Sequence, residues 1–323
     1  MRFWIGAAVA AATAAFACSA SAQQTIKLGY ALAKQSHMGV AADAMAELLD
    51  KGSNGRFKLE QHAAGSLGGE REMIEGTQLG TIDVVMVSTG PVGNFVPATL
   101  VLDIPFLFRD YAHARAVLDG QIGQDILAKF PEKGMIGLAW GELGFRHITT
   151  SKRGVGSPDE MKGLKIRTME NPIHLQAFRS LGALPTPMAW PEVFTALQQG
   201  TVDGQETPIS AIVAAKFSQV QKHLSLTGHV YTPIVFIMAR STYDPLSAAD
   251  KKLFHDVFKK GGDVTRAEVE KIEQTGIAQL RAAGMEVTEG IDKSKFQDGM
   301  KTAYAEYAKQ FGEDTIRRIR EFK

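Results

Sequence analysis

Gly163-Leu164-Lys165-Ile166-Arg167-Thr168-Met169-Glu170-Asn171-Pro172 passes from strand to helix in a single short stretch. Leu164, Ile166 and Thr168 alternate with Lys165, Arg167 and Met169, the period of a strand with two distinct faces. Asn171 has the chemistry of a helix N-cap, and Pro172 suits the first helical position. An arginine therefore lies at the carboxyl end of a strand, one tight turn before a helix N-terminus. In open α/β sheets that rim is where ligands bind. A guanidinium beside free N–H groups and a positive dipole end is suited to hold a carboxylate. The local pattern fits equally well an arginine lying over the sheet surface with no ligand.

Outward from this stretch, strand and helix patterns alternate. Thr25 to Tyr30, Phe57 to His62, Ile82 to Val87 and Met135 to Trp140 read as strands. Met38 to Leu49 and Glu70 to Leu79 read as helices, and Tyr111 to Phe130 holds helical segments. This alternation predicts an α/β fold with a parallel or mixed sheet covered on both faces. Glu72 to Asp83 (EMIEGTQLGTID) is echoed by Glu192 to Asp203 (EVFTALQQGTVD). Each is a helix stopped by glycine and followed at once by a strand, which predicts one unit used twice, in two lobes. Ser247 to Ala283 reads as a long helix, or a bent pair broken at Gly261-Gly262. Met285 to Ile291 is strand-like, and Phe296 to Phe311 and Thr315 to Phe322 are amphipathic helices.

Residues 1–22 have the form of a secretory signal: Arg2, an apolar run from Trp4 to Ala17, and Ala20-Ser21-Ala22 as a cleavage site. Cleavage after Ala22 removes Cys18, the only cysteine; lipid attachment at Cys18 is the alternative, on a poor lipoprotein signal. The exported chain then lacks disulfides and relies on its core. Its length suits two ordinary domains. The net charge of +1 falls to about zero without Arg2, so nothing points to nucleic acid or a lipid surface. The eight histidines are scattered, with no pair at metal-ligand spacing. No phosphate-binding loop, dinucleotide fingerprint or nucleophile elbow is present; Gly65-Ser66-Leu67-Gly68-Gly69 has its glycines misplaced for the last. No catalytic residue, cofactor or metal is assigned, and a binding protein is favoured over an enzyme.

The stretch from Met161 to Pro208 resembles the core of the solute-binding proteins of tripartite ATP-independent periplasmic (TRAP) transporters. The resemblance is carried by Met161-Lys162-Gly163-Leu164-Lys165-Ile166-Arg167, Leu181-Gly182-Ala183 and Pro185-Thr186-Pro187-Met188. Glu192-Val193-Phe194-Thr195-Ala196-Leu197-Gln198 and Val202-Asp203-Gly204-Gln205-Glu206 complete it. Pro105-Phe106-Leu107-Phe108, Gly144-Phe145-Arg146 and Tyr304 to Phe311 support it, so that it spans nearly the whole mature chain.

The resemblance implies two α/β lobes of periplasmic-binding-protein type, joined by a hinge and spanned by a long helix. Lobe I would hold 23–144 plus about 234–272, and lobe II 145–233 plus about 273–323. Arg167 matches the family arginine that pairs with a ligand carboxylate, and Arg146 a second arginine near the domain crossing. Trp190 sits where an aromatic is common. Thr207 replaces a frequent asparagine, and Ser88 stands where some relatives have a glutamate that contacts the ligand. Asn171 and His37 are further candidates, each explained as well by a helix start. The implied function is a monomeric periplasmic receptor that passes a small organic acid to a membrane permease. Trp190 with the small Ser88 and Thr207 favours a sugar acid or another ring-bearing acid, with C4-dicarboxylates next. A secreted sugar-acid lyase or isomerase is the rival, with Glu206 or Asp203 as its base.

Overall fold

The computed structural model describes residues 23–323; the expected signal segment, with Cys18 and the cleavage site, lies outside them. The chain begins with β1 (Gln24–Tyr30), α1 (His37–Gly52), β2 (Phe57–His62), α2 (Glu70–Leu79) and β3 (Val84–Ser88). These strands pair in parallel in the order β2-β1-β3. A short α3 (Thr89–Val92), then α4 (Tyr111–Asp119) and α5 (Gln121–Leu127), leads into β4 (Met135–Thr150). The second unit is β5 (Lys165–Thr168), α6 (Pro172–Ser180), β6 (Leu184–Pro187), α7 (Trp190–Gln199) and β7 (Gly204–Pro208). Its strands are also parallel, in the order β6-β5-β7. The rest comprises α8 (Ile209–Ala214), β8 (His223–Ser225), β9 (Tyr231–Ala239), α9 (Arg240–Tyr243), α10 (Ala248–Ala282) and β10 (Glu286–Thr288), with α11 (Lys293–Gly299), α12 (Lys301–Phe311) and α13 (Glu313–Arg320) at the end.

The main path of the sheet is β2-β1-β3-β9-β4-β7-β5-β6. Two copies of a β-α-β-α-β unit thus flank a pair of antiparallel strands, which makes the fold two-lobed. The repeated sequence pattern explains the match. Gly80 and Gly200 end α2 and α7 in the left-handed conformation, at φ 78° and 70°, which costs glycine little. Asp83 and Asp203 then accept the backbone N–H of Lys27 and Lys165, each at 2.9 Å, and so tie each helix exit to the start of a strand. Because Asp83 makes this turn, the third strand starts at Val84 rather than at Ile82.

β4 is far longer than the predicted Met135–Trp140. Its residues Met135–Phe145 pair with β9, while Arg146–Thr150 pair with β7. The register shifts between Glu142 and Gly144, and Gly144 has φ 119°. A side chain would strain the backbone there, so this glycine lets one strand serve both halves.

α10 is one unbroken helix of 35 residues, about 52 Å long at 1.5 Å per residue. It packs on α1 and β4 near its start and on α8 further along. Of the two alternatives the long helix holds, and there is no break at Gly261-Gly262. A Cβ at Gly262 would lie 2.1 Å from the Trp140 carbonyl oxygen, and one at Gly261 2.3 Å from the Met45 sulfur. The glycines permit close packing of the helix. Gly276 does the same against Ile209, at 2.6 Å. Among the described residues no helix is long and apolar enough to cross a membrane.

Candidate functional site

The carboxyl ends of β3, β5 and β7 meet at a cavity lined by both halves. Ser88 and Glu70 come from one side, Arg167, Met169, Trp190 and Thr207 from the other, and Leu143 and Arg146 from the shared strand β4. Leu32, Met38, Ala31 and Ala211 complete an otherwise apolar wall. The space between the lining atoms, with the open mouth included, is about 350 Å³.

Arg167 is 3% exposed. Its Nε and Nη2 donate to the Met188 carbonyl oxygen at 3.0 and 2.7 Å, and its guanidinium carbon lies 5.7 Å from the Trp190 ring centre. Nη1 has no hydrogen-bond partner among the described residues, and no carboxylate there reaches the guanidinium within 4.0 Å. Burial pushes its pKa down to about 10, with repulsion from Arg146 adding to the effect and Glu206 and Glu70 opposing it. A guanidinium has five N–H donors. Two are spent on Met188, so the Nη1–Nη2 edge remains for a two-pronged bond to an anion.

Arg146 is the contrasting case. It is 1% exposed, and its partner Glu206 is fully buried. Nη2 donates to Glu206 Oε1 at 2.9 Å, Nε donates to Oε2, and Nη1 donates to Thr232 Oγ1 at 3.3 Å. His229 Nε2 lies 3.1 Å from Glu206 Oε2. Burial pushes the Glu206 carboxyl up, but Arg146 and the His229 hydrogen bond more than offset it and hold it well below the usual range. Both arginines thus reach the cavity, but Arg146 arrives neutralised and Arg167 does not.

Trp190 is half-buried between the Arg167 guanidinium and Phe217, whose ring centre is 5.5 Å away. Thr207 is 2% exposed and its hydroxyl makes no hydrogen bond among the described residues. Ser88 Oγ donates to Glu70 Oε2 at 2.6 Å, and Ser88 N–H donates to Oε1 at 2.6 Å.

Two candidates are not brought to the cavity. Asn171 caps α6 as the sequence implied, its Oδ1 accepting from Ile173 and His174 N–H at 2.8 and 3.3 Å. Its Nδ2 donates to Gly90 O at 3.0 Å and Asp103 Oδ2 at 2.9 Å, so no bond is left for a ligand. His37 starts α1 and is 2% exposed, and its neighbour Met38, not His37, lines the cavity. Burial pushes the His37 imidazole down to about 4. The bases of the rival enzyme reading fare no better: Asp203 is committed to Lys165 and Lys152 away from the cavity, and Glu206 to Arg146.

Glu70 is the site residue that sequence reasoning missed. Its position reads as an ordinary acidic start to a helix. The internal echo held the signal, because Glu70 occupies the place in its repeat that Trp190 occupies in the other. Met169, beyond the end of β5, was also missed; its sulfur is 3.3 Å from Ser88 Oγ.

A cleft between two similar α/β lobes, walled by a buried arginine with no carboxylate partner among the described residues, is the arrangement of a two-lobed solute receptor. Residues 28–310 match the model of bacterial extracellular solute-binding protein, family 7, and the chain belongs to this family of TRAP periplasmic receptors. A TRAP periplasmic solute-binding protein from Bordetella bronchispeptica, with density assigned to pantoate, is 56% identical with TM-score 0.91, covering 93% of this chain and 100% of that one. One from Polaromonas sp. JS666 bound to D-erythronate is 53% identical with TM-score 0.92, covering 93% and 99%. A solute-binding protein from Verminephrobacter eiseniae is 51% identical over 302 residues, 94% of this chain and 90% of that one.

Proposed function

We propose that the chain captures a small organic acid in the periplasm, with Arg167 pairing to its carboxylate, and delivers it to a TRAP-type permease. The observation that carries this is the buried Arg167 guanidinium, which lines the cavity and has only the Met188 carbonyl as a hydrogen-bond partner and no carboxylate partner among the described residues. A buried charge without a partner is costly, and a ligand carboxylate supplies the missing charge. Arg146 and Thr207 line the same wall, with Thr207 offering a hydroxyl and Arg146 a rigid, neutralised floor. Trp190 covers Arg167 and shields the pair from water.

Short hydroxylated acids are favoured over ring-bearing acids, on the ligands of the two relatives that are more than half identical. D-erythronate in the Polaromonas relative and the pantoate assigned in the Bordetella one are both short, open-chain hydroxylated monocarboxylates. C4-dicarboxylates are the runner-up. Closure would bring lobe I, 23–144 with about 234–272, against lobe II, 145–233 with about 273–323. The receptor acts as a monomer after cleavage behind Ala22. A thermal-shift screen against organic acids tests the reading. A ligand at about 100 times its Kd adds ~2.7 kcal/mol of stability. Shifts confined to uncharged or cationic compounds overturn it.

A further inference from the structure

We infer that the turn Met169-Glu170-Asn171 and the buried Asp103 form a clasp between the lobes, which holds the receptor shut and sets how fast a ligand leaves without touching it. This rests on the lobes proposed above, with Asp103 in lobe I and Asn171 in lobe II.

Every residue of this turn reaches the opposite lobe. Met169 lies against Gly90, where a Cβ would come 2.5 Å from the methionine methyl carbon, so the glycine permits the approach. The Glu170 carbonyl accepts from Asn94 Nδ2 at 2.7 Å. Asn171 Nδ2 donates to Gly90 O at 3.0 Å and to Asp103 Oδ2 at 2.9 Å, while its Oδ1 caps α6. Asp103 ends the short 3-10 helix Pro97–Asp103 and is fully buried. Its Oδ1 takes a further bond from Thr89 Oγ1 at 2.8 Å. One asparagine thus ties the start of α6 to the start of α3. Both ends adjoin the cavity wall, since Ser88 stands directly before Thr89 and Arg167 on β5 stands just before the turn.

Asp103 depends on these bonds because no cation pairs with it. Among the described residues the one basic group within 4.0 Å is His174, whose Nε2 lies 3.9 Å from Oδ1. Burial pushes that imidazole down to about 3, so it is uncharged. Burial also pushes the Asp103 carboxyl up to about 7, against the bonds from Thr89 and Asn171 and the charge of Arg146. A buried carboxyl left without a donor is costly, so the closed arrangement and the Asn171 bond require each other. Opening the cleft parts Asn171 from Gly90 and Asp103, and Asn94 from Glu170. Each such bond, taken net of hydration, slows opening by roughly two- to tenfold. Association happens before the clasp forms, so the effect falls on release.

The test uses the mature protein and reads lobe separation and release rate together. Lys58 on β2 and Leu184 on β6 are exposed and lie on the two outer strands of the sheet. Lys58→Cys with Leu184→Cys places two spin labels there, and Cys18, the only other cysteine, precedes the proposed mature start. Stopped-flow fluorescence of Trp190 follows D-erythronate and pantoate. Asp103→Leu keeps the approximate volume and removes the acceptor, whereas Asp103→Asn keeps an acceptor for Asn171. Asn94→Ala removes the exposed bond and leaves the core intact. Asp103→Leu should lengthen the label distance and speed release roughly tenfold or more, with association changed less than about twofold. Asp103→Asn should restore release to within about threefold of native, and Asn94→Ala should speed it about two- to tenfold. Should Asp103→Leu fail to fold, Asn94→Ala decides by the same readings. Native distances and release rates in the folded variants overturn the clasp, as does slower association with unchanged release. If neither acid binds the native protein, the ligand class proposed above fails; the clasp is then judged on the distances alone, and equal distances in native protein and variants overturn it.

Discussion

Replacing Arg167 by lysine keeps the charge and removes the fork. In the native protein two N–H groups hold the Met188 carbonyl at 3.0 and 2.7 Å, which leaves the Nη1–Nη2 edge without a partner among the described residues of the cavity wall. Lysine has three donors on one tetrahedral nitrogen. If one of them takes over Met188, the others cannot lie parallel toward a carboxylate, and one charged hydrogen bond to the ligand is lost. Such a bond contributes about 1.5–3 kcal/mol, which corresponds to a roughly 10- to 150-fold rise in Kd. The stacking on Trp190 at 5.7 Å weakens too, adding ~0.5–1 kcal/mol. The unliganded fold should suffer little, because Arg167 has no salt bridge to lose among the described residues. The melting temperature without ligand is expected to stay within a few degrees, since ~1 kcal/mol moves it about 2–4 °C in proteins approaching this size. Calorimetric titration with the best acid from the thermal-shift screen reads the first quantity, and circular dichroism the second. An unchanged Kd refutes the anchor. Severe loss of unliganded stability shows instead that Arg167 is a structural residue.

Three other outcomes follow from the same structure. Glu206→Gln leaves the buried Arg146 without its counter-charge and should cost ~3–5 kcal/mol in urea unfolding; a cost below ~1 kcal/mol contradicts the buried-pair account. Gly262→Ala should destabilise by ~1–3 kcal/mol despite alanine's better helix propensity, because its Cβ meets a backbone oxygen at 2.1 Å; a stabilised variant shows that the helix is not in close contact with β4. Acidification should lower stability. Burial pushes His37, His147 and His174 down from 6.5 to about 4, 3 and 3. The unfolded chain takes up these protons below about pH 6.5 while the native state refuses them, so their stabilisation is lost as pH falls toward 4 and below. Asp103, pushed up to about 7 by burial, acts the other way between about 7 and 3.8, as does Glu70 more weakly placed. The histidines outnumber them, and unfolding free energy should drop by ~1 kcal/mol per pH unit from 6.5 to 4.5. A flat or rising profile in urea melts refutes the balance.

The local signals in the chain were sound wherever the structure is local. Asn171-Pro172 caps and opens α6 because the cap needs only neighbouring N–H groups. Gly80 and Gly200 end their helices because a left-handed exit is nearly free only for glycine. The repeated Gly-Thr-Xaa-Asp turn disclosed two similar halves, and β2 and α2 fell where alternation and helical period placed them. Other features had no local mark. Gly261-Gly262 has the composition of a break, and only the neighbouring Met45 and Trp140 turn it into a packing notch.

By itself, then, the sequence determined the class of fold, the repeated unit and the position of an arginine at the carboxyl end of a strand, one turn before a helix. Each depends on capping, periodicity and short-range backbone geometry. Only the tertiary structure decided which of the two arginines has a carboxylate partner among the described residues. Glu206 lies far along the chain from Arg146 and neutralises it through strand pairing between β4 and β7. Only the meeting of α2 with β3 brought Glu70 to Ser88. The physical reason is the same in both cases. A charge is judged by its partner and its burial, and both are set by which segments the sheet places side by side.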